Sequence, residues 1–254
     1  MTFKEVEATK LRGDDKRKYI VTLFDNIATR YDFIRTLIFL GQTSRWYRKA
    51  LSDLELKPEN KVLDVGCGTG ESTRYLSSLY KGIVVEGMDI STGMLAVAQH
   101  HDPEGIYFEG DVCAIPRPDS SYNLVISCFT FRNFPERQAS ITEMLRILRP
   151  GGQLLILDHF LPEKRWRGLY TFWIRQVMPR IVWPFVKDAS PYRYLAESII
   201  NQLKLADFKN LLESMSAKVI QTDSYTGGAA RRLIAIRKTE IIDAGIKKRV
   251  QAVK

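Results

Sequence analysis

Residues Val62 to Gly70 read Val-Leu-Asp-Val-Gly-Cys-Gly-Thr-Gly, a short apolar run that leads straight into three alternating glycines. A helix-like segment, Glu71 to Leu79, follows directly. Strand, glycine loop and helix in that order constrain the chain to a nucleotide-binding corner of an α/β sheet, because glycine accepts φ > 0 and lets backbone approach a ligand closely. The spacing Gly66, Gly68, Gly70 is not the G-x-G-x-x-G of dinucleotide enzymes, since Glu71 falls where the third glycine would stand. Asp64, just ahead of the loop, would repel a pyrophosphate and suits a cationic amino-acid ligand. A glycine-rich turn in some other α/β protein is the plain alternative.

The segments beyond the loop repeat one pattern. A second apolar run, Ile83 to Met88, ends at Asp89, where such folds set an acid on ribose hydroxyls. A carboxylate accepting two hydroxyl donors makes charge-assisted bonds about twice as strong as neutral ones. Ser91 is positioned to cap a helix from Thr92 that carries Met94, Leu95 and Ala98. Ile106 to Gly110 ends in Asp111, which would meet an adenine amino group, and Tyr122 to Cys128 precedes Phe129-Thr130-Phe131-Arg132-Asn133. A helix from Glu136 to Leu148 stops at Pro150-Gly151-Gly152, and a fifth strand, Gln153 to Leu157, ends in Asp158. Acids recurring at one sheet edge, Asp64, Asp89 and Asp111 in register, mark the edge where open parallel sheets bind ligands. The D-x-G-x-G-x-G pattern resembles motif I of S-adenosylmethionine-dependent methyltransferases.

At 254 residues the chain is long enough for one α/β domain with an appended helical part. The three cysteines, Cys67, Cys113 and Cys128, lie far apart, which points to a reducing compartment and to no metal site. Met1 to Lys18 carries no apolar leader core, and no apolar span approaches the roughly twenty residues of a transmembrane helix. The expectation is a cytoplasmic protein, with peripheral contact to a membrane left open.

The net charge of +9 is unevenly spread. Residues 160–194 hold seven Lys or Arg against Glu163 and Asp188, and 231–254 hold eight against Glu240 and Asp243. The first stretch also carries three of the four tryptophans, Trp166, Trp173 and Trp183. Aromatics interleaved with arginine suit an anionic membrane surface, a lipophilic substrate or nucleic acid, or else form a lid whose charges are merely solvated. Upstream, Ile20, Phe24, Ile27, Ala28 and Tyr31 recur at helical spacing, and Gln42 to Leu51 is a further candidate helix. These read as a cap over the sheet edge or as helices packed on the core. The expected organisation is an N-terminal helical cap (1–51), a cofactor-binding core (52–159), a basic aromatic helical insertion (160–215), closing strands (216–240) and a basic tail (241–254). Ala217 to Thr222 and Arg232 to Arg237 read as the closing strands, antiparallel at the sheet edge.

Several longer matches carry a more specific resemblance. Phe24-Asp25-Asn26-Ile27-Ala28-Thr29-Arg30-Tyr31-Asp32 resembles the F-x-x-I-A-x-x-Y-D signature of the ubiquinone/menaquinone-biosynthesis C-methyltransferase family. Phe129 to Asn133 is similar to its F-G-[LI]-R-N motif, with Thr130 in place of glycine, and Tyr192-Arg193-Tyr194-Leu195-Ala196-Glu197-Ser198-Ile199 resembles its Y-x-Y-L-x-E-S-I segment. The match spans about Leu23 to Lys238. Two positions depart from the family: Ala229-Ala230-Arg231-Arg232-Leu233 stands where A-L-H is usual, and Asp158-His159-Phe160 where Glu-Phe-Ser is usual.

The resemblance implies a class I, Rossmann-like fold, with a mostly parallel seven-stranded sheet, helices on both faces, an N-terminal helical cap and a helical insertion. It implies S-adenosylmethionine as cofactor and a small lipophilic aromatic substrate, a quinol precursor. Thr73, Asp89, Ile90, Asp111, Val112 and Cys128 would contact the cofactor, Gly66, Gly68 and Gly70 would carry its methionine end, and Cys128 would be a wall and not a nucleophile. Methylation of a ring carbon needs a neighbouring hydroxyl ionised and later a base for the ring proton. Arg132 is expected to stabilise the phenolate, or else to form a salt bridge to Asp111 or Asp158. Asn133 would donate to the same oxygen, His159 is a candidate base, and Tyr31 and Tyr194 would border the substrate. The alternatives are methylation of another small aromatic or isoprenoid molecule, an RNA methyltransferase, and a cofactor-binding regulator without chemistry; no nucleic acid is expected as partner.

Overall fold

The computed structural model describes residues 3–186 and 188–238, so the basic tail expected over 241–254 lies outside the described residues. Four helices come first: α1 (Phe3–Ala8), α2 (Gly13–Ile27), α3 (Tyr31–Ile38) and α4 (Gln42–Leu51). A βα alternation follows with β1 (Lys61–Val65), α5 (Glu71–Leu79), β2 (Val84–Asp89), α6 (Thr92–His101), β3 (Ile106–Glu109), β4 (Tyr122–Cys128), α7 (Arg137–Ile147) and β5 (Leu148–His159). The insertion comprises α8 (Lys164–Phe172), a π turn at Trp173–Val177, α9 (Met178–Val182) and α10 (Ser190–Ile200). Then α11 (Leu205–Ser214), β6 (Ala217–Tyr225) and β7 (Ala230–Arg237) complete the chain.

The seven strands run in the order β3-β2-β1-β4-β5-β7-β6. Neighbours from β3 to β5 are parallel, and β7 is antiparallel to both β5 and β6. Of the two closing strands only β6 is an edge; β7 is paired on both sides. The strand order reverses between β1 and β4, the switch point outside whose carboxyl ends ligands bind in open α/β sheets.

Strand alternation sorts the core into two layers. Val62, Leu124, Ile126 and Leu155 face one side, with Leu76 of α5, Ala50 and Leu51 of α4 and the insertion. Leu63, Val65, Val125 and Ile156 face the other, with Ile141 and Met144 of α7 and Phe208 of α11. Burial on both faces is why these strands read as unbroken apolar runs. Arg232, 2 % exposed, locks the closing strands to the end of α4 by donating to Asp53, to Asp223 at 2.7 Å and to the Ala50 carbonyl at 2.8 Å.

The insertion presents two apolar faces. Ile174, Met178 and Val182, four residues apart, are fully buried in the first layer. Leu169 and Phe172 point outward and are 65 % and 58 % exposed. Arg175 pairs with Glu197 at 2.8 Å and ties the π turn to α10.

Candidate active site

The glycine loop takes its shape from contacts that leave no room for side chains. Gly66 and Gly70 have φ of +73° and +78°. A Cβ on Gly66 would come within 2.3 Å of Thr130 Cγ2, and one on Gly70 within 2.7 Å of the Tyr107 hydroxyl. Asp89, at the end of β2, ties the loop to the next helix: Gly68 N–H donates to its Oδ2 at 2.8 Å and Ser91 N–H to its Oδ1 at 2.9 Å. Each carboxylate oxygen keeps a lone pair for a further donor. Burial raises the Asp89 carboxyl, and the backbone N–H bonds oppose that rise. Ser91 caps α6, as expected, by accepting from Met94 N–H at 3.1 Å.

A cavity opens beyond the loop, lined by Gly66, Gly68, Asp89, Ile90, Asp111, Val112 and Cys128. Cys128 is a wall: burial pushes its thiol well above the ordinary value, which removes the thiolate a nucleophile needs. Three expected cofactor residues do not line the cavity. Asp64 is fully buried on the Val62 face of β1, where its Oδ2 accepts from Ser72 Oγ at 2.6 Å and Thr73 Oγ1 at 2.8 Å. It therefore pins the first turn of α5, and Thr73 is spent on that bond; Gly70 serves the turn. The period of two accounts for the difference, since Val65 faces the cavity and Asp64 cannot do so as well. Nor are the three acids in register, because Asp64 pairs with Gly87, two residues short of Asp89. Burial lifts the Asp64 carboxyl to about 6. Asp111 does reach the cavity, but there it already accepts from Arg17 Nε and, at 2.8 Å, from Cys113 N–H.

The N-terminal helices form a cap over this cavity. Arg17, Ile20, Phe24, Tyr31 and Arg35 join its lining. Polar ties hold the cap down: Thr69 Oγ1 donates to Asp32 at 2.8 Å, Ser91 Oγ to Asp25 at 2.6 Å, Ser44 Oγ to Glu71 at 2.7 Å, and Arg35 pairs with Glu71 and Asp32. Sequence reading missed all of these acids as ties, although Asp25 and Asp32 lie inside the Phe24–Asp32 motif; charges on an otherwise amphipathic helix were the available signal.

A second, mostly apolar cavity adjoins the first. Phe24, Tyr31, Arg35, Phe129 and Asn133 wall both, and Ile38, Phe39, Thr43, Arg132, His159, Tyr192 and Tyr194 wall the second alone. Tyr31, Arg132, Asn133 and His159 are thus brought together at one place. Phe129 has φ of +59°, an uncommon strain for an aromatic residue, and it sits between the two cavities. Four buried polar atoms on the second wall have no hydrogen-bond partner: Arg35 Nε, Thr43 Oγ1, His159 Nδ1 and Tyr192 OH. Burial raises the Tyr31 hydroxyl, so it stays a neutral phenol.

Two expectations need revision here. Arg132 takes its salt-bridge alternative: Nη1 meets Asp158 Oδ1 at 2.7 Å, its own N–H donates to Asp158 Oδ2 at 3.0 Å, and the guanidinium also reaches Ser198 and the Phe129 carbonyl. Its guanidinium is occupied by these partners and is not free for a substrate phenolate. His159 stacks on Phe39 with ring centroids 4.5 Å apart, and burial and the Arg132 charge hold its pKa well below 6.5. The ring is a neutral acceptor and only a weak base.

A profile of the ubiE/COQ5 methyltransferase family matches residues 12–237. A demethylmenaquinone methyltransferase of Thermotoga maritima is 34 % identical over 194 residues, which cover 75 % of this chain and 84 % of that one. A ubiquinone/menaquinone biosynthesis C-methyltransferase of Geobacter sulfurreducens is 30 % identical over 235 residues, covering 89 % and 91 %. Among solved structures, a SAM-dependent methyltransferase from Aquifex aeolicus superposes with a TM-score of 0.56 at 20 % identity, over 75 % of this chain and 89 % of that one, a likeness of fold.

Proposed function

The chain belongs to the ubiE/COQ5 methyltransferase family and is an S-adenosylmethionine-dependent methyltransferase, and we propose that it methylates a ring carbon of a lipophilic quinol precursor of the menaquinone or ubiquinone type. The observation that carries this reading is the second cavity. Its walls are apolar and aromatic, it meets the first at Tyr31, Phe129 and Asn133, and it holds four orphaned polar atoms. An apolar ring bearing a few oxygens satisfies such a wall; a nucleotide base with its phosphates does not.

The first cavity fits the cofactor. Gly68 lines it with φ of +55°, and a Cβ there would meet no atom within 4 Å, so the backbone is open to a close ligand. Asp89 has lone pairs left for two ribose hydroxyls, and Ile90, Val112 and Cys128 offer apolar walls for a base. When bound, S-adenosylmethionine supplies a methyl on a sulfonium, whose sulfur keeps the C–S electron pair as the methyl leaves.

The remaining work falls to the chain. A phenol titrates at roughly 10 in water, so the substrate hydroxyl needs donors that favour its anion. Arg35 Nε and the Asn133 amide stand on the wall common to both cavities and take that role; Arg132 does so only indirectly, by fixing the strand end. Once the ring carbon carries the methyl, loss of its proton restores aromaticity, and so strong a driving force needs no strong base. His159 Nδ1, neutral and unpartnered, accepts that proton. The cap excludes water from both cavities.

The insertion extends the reading to delivery at a membrane surface. Leu40, Trp166, Leu169 and Phe172 line an open apolar groove that touches the second cavity through Ile38 and Phe39. Lys164, Arg165 and Arg167 alternate with these residues along α8, the pattern of a helix lying on anionic headgroups. No helix among the described residues is long and apolar enough to cross a membrane.

A labelled-methyl transfer assay offering a demethylated quinol extract beside bulk tRNA and rRNA tests the proposal. Label in the lipid fraction is expected. Label in RNA, with binding that weakens steeply as salt rises, would overturn it.

A further inference from the structure

Lys16 is the least expected residue near the site. It sits on α2 at 2 % exposure, and among the described residues no carboxylate pairs with it. Its Nζ donates to the Tyr194 hydroxyl at 2.7 Å and to the Ala8 carbonyl at 3.2 Å, and lies 4.8 Å above the Tyr194 ring. Tyr194, itself 2 % exposed, donates onward to Asn133 Oδ1 at 3.1 Å. Asn133 stands on the wall common to both cavities. A buried, unpaired ammonium is costly, and packing alone would be served better by methionine or leucine.

We infer that Lys16 is a positioning residue of the methyl-transfer site, a buried cation that acts through Tyr194 to orient the Asn133 amide. The inference rests on the reading of the second cavity as a phenol site. With Nζ charged, Lys16 can only donate, so the Tyr194 proton must point to Asn133 Oδ1. The carbonyl end of the amide is then fixed, and Nδ2 is left as the end available to a substrate oxygen. With Nζ neutral, the amine can accept the Tyr194 proton instead, and Asn133 loses its anchor.

The groups around Lys16 set where this switch falls. Burial comes first, followed by the positive charges of Arg12 at the start of α2, Arg137 on α7 and Arg132 after β4; together they press the ammonium down to about 8. The phenol that faces it, Tyr194, brings no negative charge, since burial keeps it protonated. The charged, orienting form therefore holds below about 8 and is lost as pH rises through it.

The first readout needs no substrate. In the cofactor-bound protein the Asn133 side-chain amide resonances should titrate with the midpoint of Lys16, and that titration should vanish in Tyr194→Phe. An Asn133 amide indifferent to pH between 7 and 9 in the wild type would overturn the relay whatever the substrate proves to be. With a quinol acceptor, Lys16→Met and Tyr194→Phe should each lower kcat by about 10- to 100-fold, below the roughly 10²–10³-fold cost of deleting a donor on the oxyanion itself. Cofactor affinity should hold, the double variant should be no worse than either single one, and the alkaline fall near pH 8 should disappear. Lys16→Arg, charged throughout this range, should restore rate and abolish that fall. Should Lys16→Met not fold, Tyr194→Phe, which removes one oxygen, gives the decision. Folded variants with unchanged kcat and pH profile would assign Lys16 to structure alone.

Discussion

The glycine-loop end of the sheet and the basic aromatic insertion solve opposite problems. At the loop almost every polar group has a named partner: Asp89 holds Gly68 and Ser91, Asp32 holds Thr69, and Glu71 takes Arg35 and Ser44. The insertion holds on through a buried apolar stripe, and it leaves Leu169, Phe172 and Trp183 in the open. Directional bonds suit a polar, charged ligand that must be held in one pose. A loose apolar face suits a ligand, or a surface, recognised by its lack of polarity.

The comparison is broken most severely at the point that supports both cavities. Arg132→Ala leaves the fully buried Asp158 without its cation, and loss of one partner of such a pair costs about 3–5 kcal/mol. Urea unfolding should therefore show a strongly destabilised chain. Normal stability with depressed turnover would return Arg132 to a role on the substrate.

Asp89→Ala tests the polar side alone. It removes charge-assisted bonds, so cofactor affinity should fall by about 1.5–3 kcal/mol by titration calorimetry. Unchanged affinity in a folded variant would sink the ribose assignment.

Asp64 sharpens the contrast by pH. Its folded pKa, about 6, lies above the ordinary 3.8, so its favourable contribution is complete below about 4 and lost as pH rises through 6. Asp64→Asn should flatten that part of the stability profile and leave cofactor affinity near wild type. A steep loss of affinity would mean that the carboxylate does meet the ligand.

The smallest effects belong to the insertion. Trp166→Ser with Leu169→Ser should change stability by no more than about 0.5 kcal/mol, as exposed positions do. The same pair should reduce co-sedimentation with anionic vesicles several-fold. Full retention on vesicles would reduce the insertion to a lid.

What could be read from the chain was local. The loop, α5 and the parallel strands are written in apolar runs closed by glycine and acid, and the structure has α5 at the residues the pattern indicated. Which way a side chain leaves the pleat is not local: Asp64 and Asp89 look alike in sequence, yet one supports α5 and the other lines the cavity. The ties of the cap join Asp25 to Ser91 and Asp32 to Thr69, separations no periodicity reports. Lys16 was hidden for the same reason, in a charged segment that looks like solvated leader until Tyr194 is brought to it. The insertion, read as a lid, a lipophilic or membrane surface, or a nucleic-acid surface, has one buried and one exposed apolar face, and a π turn lies where the one gives way to the other.

The cap has a kinetic consequence. Phe24, Tyr31 and Arg35 wall both cavities, so one movement of α2 and α3 that uncovers either cavity uncovers the other. Where opening of the cap is the slow step, turnover reports that movement and not the passage of the methyl itself.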